Sequence, residues 1–192
     1  MKNKCSNVPV FQCSNDKGFT LIELIVVISI TVMITGMVLA GMQTGKRSKD
    51  VSTSAEKLAA IIRQAQMMAL TGKTIGGVRP DGGYGVYLNE STEPNSYYLF
   101  ANDSEVDSYE YDAGDTIIQS FSLLEKVSFD SVPHSSIIFT PPQGTIWVST
   151  GLGGSELTGA NSSLIVLEHD DTIFIGYVRI NSQGEIDVRI TP

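Results

Sequence analysis

Thiols are scarce in this chain and confined to one end of it. Its 192 residues include two cysteines, Cys5 and Cys13, both within the first eighteen. A chain that lost those eighteen residues would have no disulfide, thiolate metal site or cysteine nucleophile. Histidine is equally rare. His134 stands in a Val-Pro-His-Ser-Ser turn, and His169 in the strand-end stretch Glu168-His-Asp-Asp171. The acidic neighbours of His169 could contribute to a metal site, but the stretch reads as a solvated turn. No Gly-x-Ser-x-Gly elbow, P-loop, His-Glu-x-x-His or Gly-x-Gly-x-x-Gly occurs. Gly151-Leu-Gly-Gly154 lies in 149–163, which reads as a mobile loop rather than a phosphate cradle. No pattern here supports a catalytic site, so the chain reads as a protein other than an enzyme.

Positive charge is also in short supply. Thirteen Lys and Arg face twenty-one Asp and Glu, a net of −8. Setting aside residues 1–18 removes Lys2, Lys4, Lys17 and Asp16 and takes the net to −10. From Val51 onward, seven basic and eighteen acidic residues leave −11. Such a region repels phosphate backbones, and nucleic acid is not an expected partner. The one basic cluster is Lys46, Arg47 and Lys49.

Charge of either sign is missing from Leu24 to Met42, nineteen residues in a row. At ~1.5 Å rise per residue the block matches a hydrocarbon core ~30 Å thick. Ser29, Thr31 and Thr35 interrupt it, but their hydroxyls can bond back to the helix's own carbonyls. A buried core helix is the alternative, and length and lack of charge favour a membrane span. The polar segment before it is no secretory signal peptide, because no small-x-small cleavage site follows the apolar core. Lys2, Lys4 and Lys17 on one side balance the cluster on the other, so the positive-inside count leaves orientation open.

One carboxylate, Glu23, sits at the mouth of this block. Thr20-Leu-Ile-Glu23 fits a capping box, in which a hydroxyl and a carboxylate satisfy orphan amides at a helix start. A proton-relay role would need a partner helix, and the span is single. A counter-charge from another molecule is the third reading, since a membrane carboxylate costs about 3 kcal/mol unless neutralised.

Lys-Gly-Phe-Thr-Leu-Ile-Glu-Leu, Lys17 to Leu24, followed by a membrane-length run, resembles the processing site of the type IV pilin superfamily. The resemblance covers Lys17 to about Met42 and implies a good deal. Prepilin peptidase would cut between Gly18 and Phe19 and methylate the new amine of Phe19. Glu23 would guide assembly into a helical filament by pairing with the Phe19 amine of a neighbouring subunit. Implied partners are that peptidase, other pilin or pseudopilin subunits, an inner-membrane assembly platform and the lipid bilayer. The implied location is the bacterial inner membrane, single-pass, with the C-terminal domain periplasmic, and then a pseudopilus or pilus. Many pilins have a proline in this helix and this chain has none, so Gly36 and Gly41 are its weak points. Gly36-x-x-x-Ala40 and Gly41-x-x-x-Gly45 either suit close helix contact or are chance small residues.

Beyond the block, Val51, Ala55, Leu58, Ile62, Ala65 and Ala69 recur at helical spacing, widened by Ile61 and Met68, with Gly72 as a C-cap. The Met67-Met68 pair reads as packing. Thr53-x-x-Glu56 could open a second helix after a break near Gly45, but one continuous helix is expected, as in pilins. From Leu21 to Leu70 it would span about 75 Å. From Gly83 the period becomes two. Strands are expected at 84–88, 97–101, 116–123, 126–129, 136–140, 145–149, 164–168, 173–180 and 185–190, with turns at Pro141–Gly144 and Asn181–Gly184. The fold class is therefore α+β: a long N-terminal helix packed on an antiparallel sheet domain. The expected parts are a leader (1–18), an assembly helix (19–45), an amphipathic helix (46–72) and a β-rich domain (73–192).

Arg63-Gln-Ala-Gln-Met-Met-Ala, Phe139-Thr-Pro-Pro-Gln-Gly144 and the 180–188 hairpin are similar to features of the H-type minor pseudopilins and FimT-like minor pilins. That implies a structural subunit of a type II secretion pseudopilus or a type IV pilus. The alternative is a DNA-binding or adhesive minor pilin. Asp103, Glu105 and Asp107 lead an acidic run that also holds Glu110, Asp112 and Asp115. Some pseudopilins bind calcium, and these are the candidate ligands. The EF-hand template fails, with Ser108 at its glycine and Gly114 at its bidentate Glu, so a solvated loop without cofactor is the expectation. Trp147 is expected to be partly buried at a sheet edge, or else to contact a subunit or ligand.

Overall fold

A computed structural model describes residues 18–89, 95–103, 109–133, 135–149, 154–159 and 161–191. One helix, α1 (Leu21–Thr71), runs without interruption through Gly36, Gly41 and Gly45. Among the described residues ten strands follow: β1 (Gly83–Asn89), β2 (Ser96–Asn102), β3 (Thr116–Ser122), β4 (Val127–Ser131), β5 (Ser136–Thr140), β6 (Thr145–Ser149), β7 (Gly154–Glu156), β8 (Ser162–His169), β9 (Thr172–Asn181) and β10 (Ile186–Thr191). They form a six-stranded sheet of order β3-β2-β1-β5-β6-β7 and a four-stranded sheet of order β10-β9-β8-β4. Every strand pairing is antiparallel, so the class is α+β.

Internal contacts divide the chain between Met42 and Gln43. In the first unit, Leu21–Leu39 has a mean hydropathy of 2.5 and none of its length is buried. Ser29 Oγ, Thr31 Oγ1 and Thr35 Oγ1 each donate to the carbonyl four residues back, at 2.8 Å. Their polarity is thus spent on the helix itself. What remains outward is a cylinder of Leu, Ile, Val and Met, half or more exposed at most positions. Water would charge about 25 cal/mol for each square ångström of it, and hydrocarbon would not.

In the second unit, the stripe Val51, Ala55, Leu58, Ile62, Ala65 and Ala69 is fully buried. It shares one core with the inward residues of both sheets. In β1, Tyr84, Val86 and Leu88 face that core, opposite Ala101, Leu99 and Tyr97 of β2 and, for the first two, Phe139 and Ile137 of β5. In the smaller sheet Ile165 and Leu167 of β8 and Val178 and Ile180 of β9 do the same. Gly176 of β9 lies so close under the helix that a methyl group there would meet Val51 at 2.9 Å. Ser54 is a polar residue inside the apolar stripe, and its hydroxyl accepts the Leu124 amide at 3.3 Å.

The helix ends in a Schellman cap. The Lys73 amide reaches Met68 O at 3.1 Å and the Gly72 amide reaches Ala69 O at 3.2 Å. Two side chains just before that cap reach across to the last hairpin. Arg63 Nη2 donates to Ile186 O at 2.9 Å, and Gln66 Nε2 donates to Gly184 O at 3.2 Å. Arg63→Ala strips one donor from a partly buried carbonyl, and a loss of about 1–2 kcal/mol is expected. Thermal melting followed by the fluorescence of Trp147, the only tryptophan, would show it as a lower midpoint.

Two expectations change. The stretch read as loop over 149–163 contains β7, whose Ser155 and Glu156 pair with Val148 and Trp147 of β6. The turn read as solvated at His169 holds a buried imidazole, 4% exposed. His169 stands opposite Val127 of β4, and its Nδ1 accepts the Asp171 amide at 3.1 Å. This inward place on β8 removes the ring from water, although three acids surround it in sequence.

Candidate functional site

The N-terminal end of α1 is built by Thr20 and Glu23. Thr20 Oγ1 accepts the Glu23 amide, and Glu23 Oε2 accepts the Thr20 amide, both at 3.3 Å. This is the reciprocal capping box, and it turns the carboxylate back toward the chain entering the helix. Gly18 and Phe19 precede the helix in exposed chain without regular structure, with Phe19 at 86% exposure. The peptide bond between Gly18 and Phe19 thus lies outside regular structure. Nothing else in the first unit carries charge among the described residues beyond Gly18: the site is one bond, one acid and an apolar helix.

The second unit places the other candidate residues. Tyr87, Tyr98 and Phe100 lie on the face of the six-stranded sheet turned away from the helix. Residues 109–115 lie over that face. Tyr111 packs against Tyr87 and Phe100, with centroids at 4.5 and 5.1 Å, and its amide donates to Ser136 Oγ at 3.2 Å. Tyr109 stacks on Trp147 at 3.6 Å with planes 7° apart. Trp147 is therefore partly buried beneath another ring rather than at an edge, since β7 lies outside β6. Its Nε1 is buried with no hydrogen-bond partner among the described residues. Sequence alone offered no link between Tyr109 and Trp147, thirty-eight positions apart.

Of the acidic run, Asp115 is buried at 9% exposure, and its two oxygens accept the amides of Asp103 and Asp112 at 3.1 and 3.0 Å. Asp103 accepts the Thr116 hydroxyl at 2.6 Å. Glu105 and Asp107 lie outside the described residues, as do Cys5, Cys13 and His134. No group of three or more metal-binding side chains comes together among the described residues. Burial raises the Asp115 carboxyl above the ordinary carboxylate range, against the lowering pull of its two amide bonds. The folded state therefore binds this proton more tightly than the unfolded one. Ionised Asp115 costs stability at neutral pH, and the cost lifts as pH falls through its folded value toward 3.8. Asp115→Asn is expected to flatten that part of the curve, read as urea midpoints from about pH 7 to about pH 4.

A surface groove opens beside the base of the buried helix half. Lys46, Arg47 and Asp50 of α1 line it, with Glu125 and Lys126 of the β3–β4 turn and His169 and Asp171 near the β8–β9 turn. Lys126 Nζ meets Asp171 Oδ2 at 2.7 Å. The hydrogen bond to Lys126 is the main cause holding the Asp171 carboxyl below the ordinary range.

Residues 13–39 match the family model described as the prokaryotic N-terminal methylation motif. The match begins in the residues before Gly18 and ends with the apolar span, so the strand-rich unit lies outside it. No curated protein and no solved structure matches the chain. The N-terminal end is type IV pilin-like, and the H-type or FimT-like subgroup is not among the matches.

Proposed function

From this type IV pilin-like N-terminus we infer a structural subunit: a pseudopilin or minor pilin, stored in the membrane and built into a filament. The observation that carries the reading is Gly18-Phe19-Thr-Leu-Ile-Glu23 opening a helix whose next nineteen residues are uncharged, inside the segment that matches the methylation motif. Prepilin peptidase cuts between Gly18 and Phe19 and methylates the Phe19 amine. The span Leu21–Leu39 holds the product in the bilayer, with the strand-rich unit on the periplasmic side. During assembly the Glu23 carboxylate meets the Phe19 amine of the neighbouring subunit, which neutralises both at one depth. The helices then form the filament core.

The convergence of Arg63 and Gln66 on the closing hairpin, and of Leu70 on Gly144 (a methyl there would lie 3.0 Å from it), supports a place near the H-type pseudopilins and FimT-like pilins. A net of −11 from Val51 onward argues against a subunit that grips DNA.

The test is a comparison of cells with and without their prepilin peptidase. The chain is expected to be eighteen residues shorter in peptidase-competent cells and to enter the sheared filament fraction only there. A chain of unchanged length in both, equally distributed, would overturn the reading.

A further inference from the structure

We propose that the groove lined by Lys46, Arg47, Lys126 and His169 on one hand, and by Asp50 and Glu125 on the other, binds the phosphoethanolamine headgroup of a membrane phospholipid. The inference rests on the membrane-anchored reading of the chain and adds a lipid ligand to it.

Charges of both signs line the groove, and only one pair of them is closed. Lys126 and Asp171 close an ion pair at 2.7 Å, whereas Lys46, Arg47, Asp50 and Glu125 have no ion pair among the described residues. Two free cations and two free carboxylates in one groove complement a dipolar ligand better than an ion of either sign. His169 borders the groove with a ring that is 4% exposed and whose Nδ1 accepts the Asp171 amide. Lys126 is the one non-glycine residue with a left-handed backbone, φ 66°, among those described, at a turn position where glycine is favoured.

A phosphodiester carries one negative charge on oxygens that only accept, which suits Lys46 and Arg47. An ethanolamine ammonium carries three N–H donors, which suits Asp50 and Glu125. Choline offers methyl groups to those carboxylates, and a glycerol headgroup brings no positive charge. At about 420 Å³ the groove has room for a headgroup together with several waters. Lipid is the source within reach. Lys46 follows Leu39, the last residue of the apolar span, by seven positions, a tether of at most about 25 Å however the chain runs.

The experiment uses the full chain in detergent micelles, with ethanolamine, choline and glycerol phospholipids of identical acyl chains, read by native mass spectrometry. The ethanolamine lipid is expected to be retained about tenfold over the other two. Arg47→Ala should lower retention of all three. Asp50→Ala combined with Glu125→Ala should reduce the ethanolamine lipid to the level of the choline lipid, with Trp147 fluorescence unchanged. Equal retention of the three lipids, or an unaltered preference in the variants, would overturn the proposal. So would soluble phosphoethanolamine competing as well as the lipid, which would assign the groove to a free metabolite. Sedimentation with vesicles of each composition separates the two readings. A chain that sediments with all of them but shows no preference loses the groove and keeps the anchor. One that sediments with none loses both.

Discussion

Charge reversal at Glu23 is expected to leave the chain cut at Gly18–Phe19 and held in the membrane, and to lower its share of the filament fraction about a hundredfold. The magnitude follows from depth. A carboxylate in hydrocarbon costs about 3 kcal/mol, and neutralisation by a neighbour's amine recovers it; 1.4 kcal/mol is a factor of about ten. Lysine in its place would set two cations against each other. The capping box complicates the reading, since Glu23 Oε2 also accepts the Thr20 amide. Glu23→Gln separates the two roles, because glutamine can accept the same bond but has no charge. If the carboxylate is only a cap, Glu23→Gln assembles normally. If it is the docking charge, Glu23→Gln fails nearly as badly as Glu23→Lys. Immunoblots of sheared filaments against membranes decide between these outcomes.

Gly83→Ala is expected to cost more than about 4 kcal/mol, enough to unfold much of the strand-rich unit. Gly83 begins β1 with φ 94°, and a methyl group there would stand 2.2 Å from Phe139 O and 3.0 Å from Thr140 Cα. Those neighbours are backbone of β5, the strand beside β1, and cannot turn aside as a side chain would. Relief requires parting β1 from β5 in the middle of the six-stranded sheet. Gly77 is the control. Its φ of 87° is similar, but open space surrounds it. Gly77→Ala should therefore cost only the left-handed strain, about 1 kcal/mol. Urea unfolding of the full chain in detergent, followed at Trp147, should separate the two variants clearly. Equal midpoints would mean that β1 and β5 are not held at the spacing described.

The elements with a period were legible before any coordinates. Helical spacing picked out Val51, Ala55, Leu58, Ile62, Ala65 and Ala69, all fully buried, and alternation located nine strands to within about two residues. What had no period was missed. β7 is three residues long and lies beside glycines, so its pairing with β6 depends on a neighbour distant in local pattern. Ser54 is polar inside the buried helix face, and the partner of its hydroxyl, the Leu124 amide, lies seventy residues away. His169 was hidden by its acidic neighbours, although it continues the inward alternation of Ser163, Ile165 and Leu167 on β8. Strand order was equally hidden, because the placing of β1 between β2 and β5 needs a closure that no local signal encodes. The methylation motif could be read at once, since it sits in consecutive residues. The groove at Lys46 could not, because three separate segments build it and only the fold brings them together.

The central claim is that this chain is a processed, methylated filament subunit, and its N-terminus tests that most directly. The intact mass of the native membrane-extracted protein, with fragmentation through the first residues, should show a chain starting at Phe19 with one extra methyl on its amine. A chain that still carries Met1, Cys5 and Cys13 would contradict the account. Glu23 would then be a helix cap, and the apolar helix a permanent anchor.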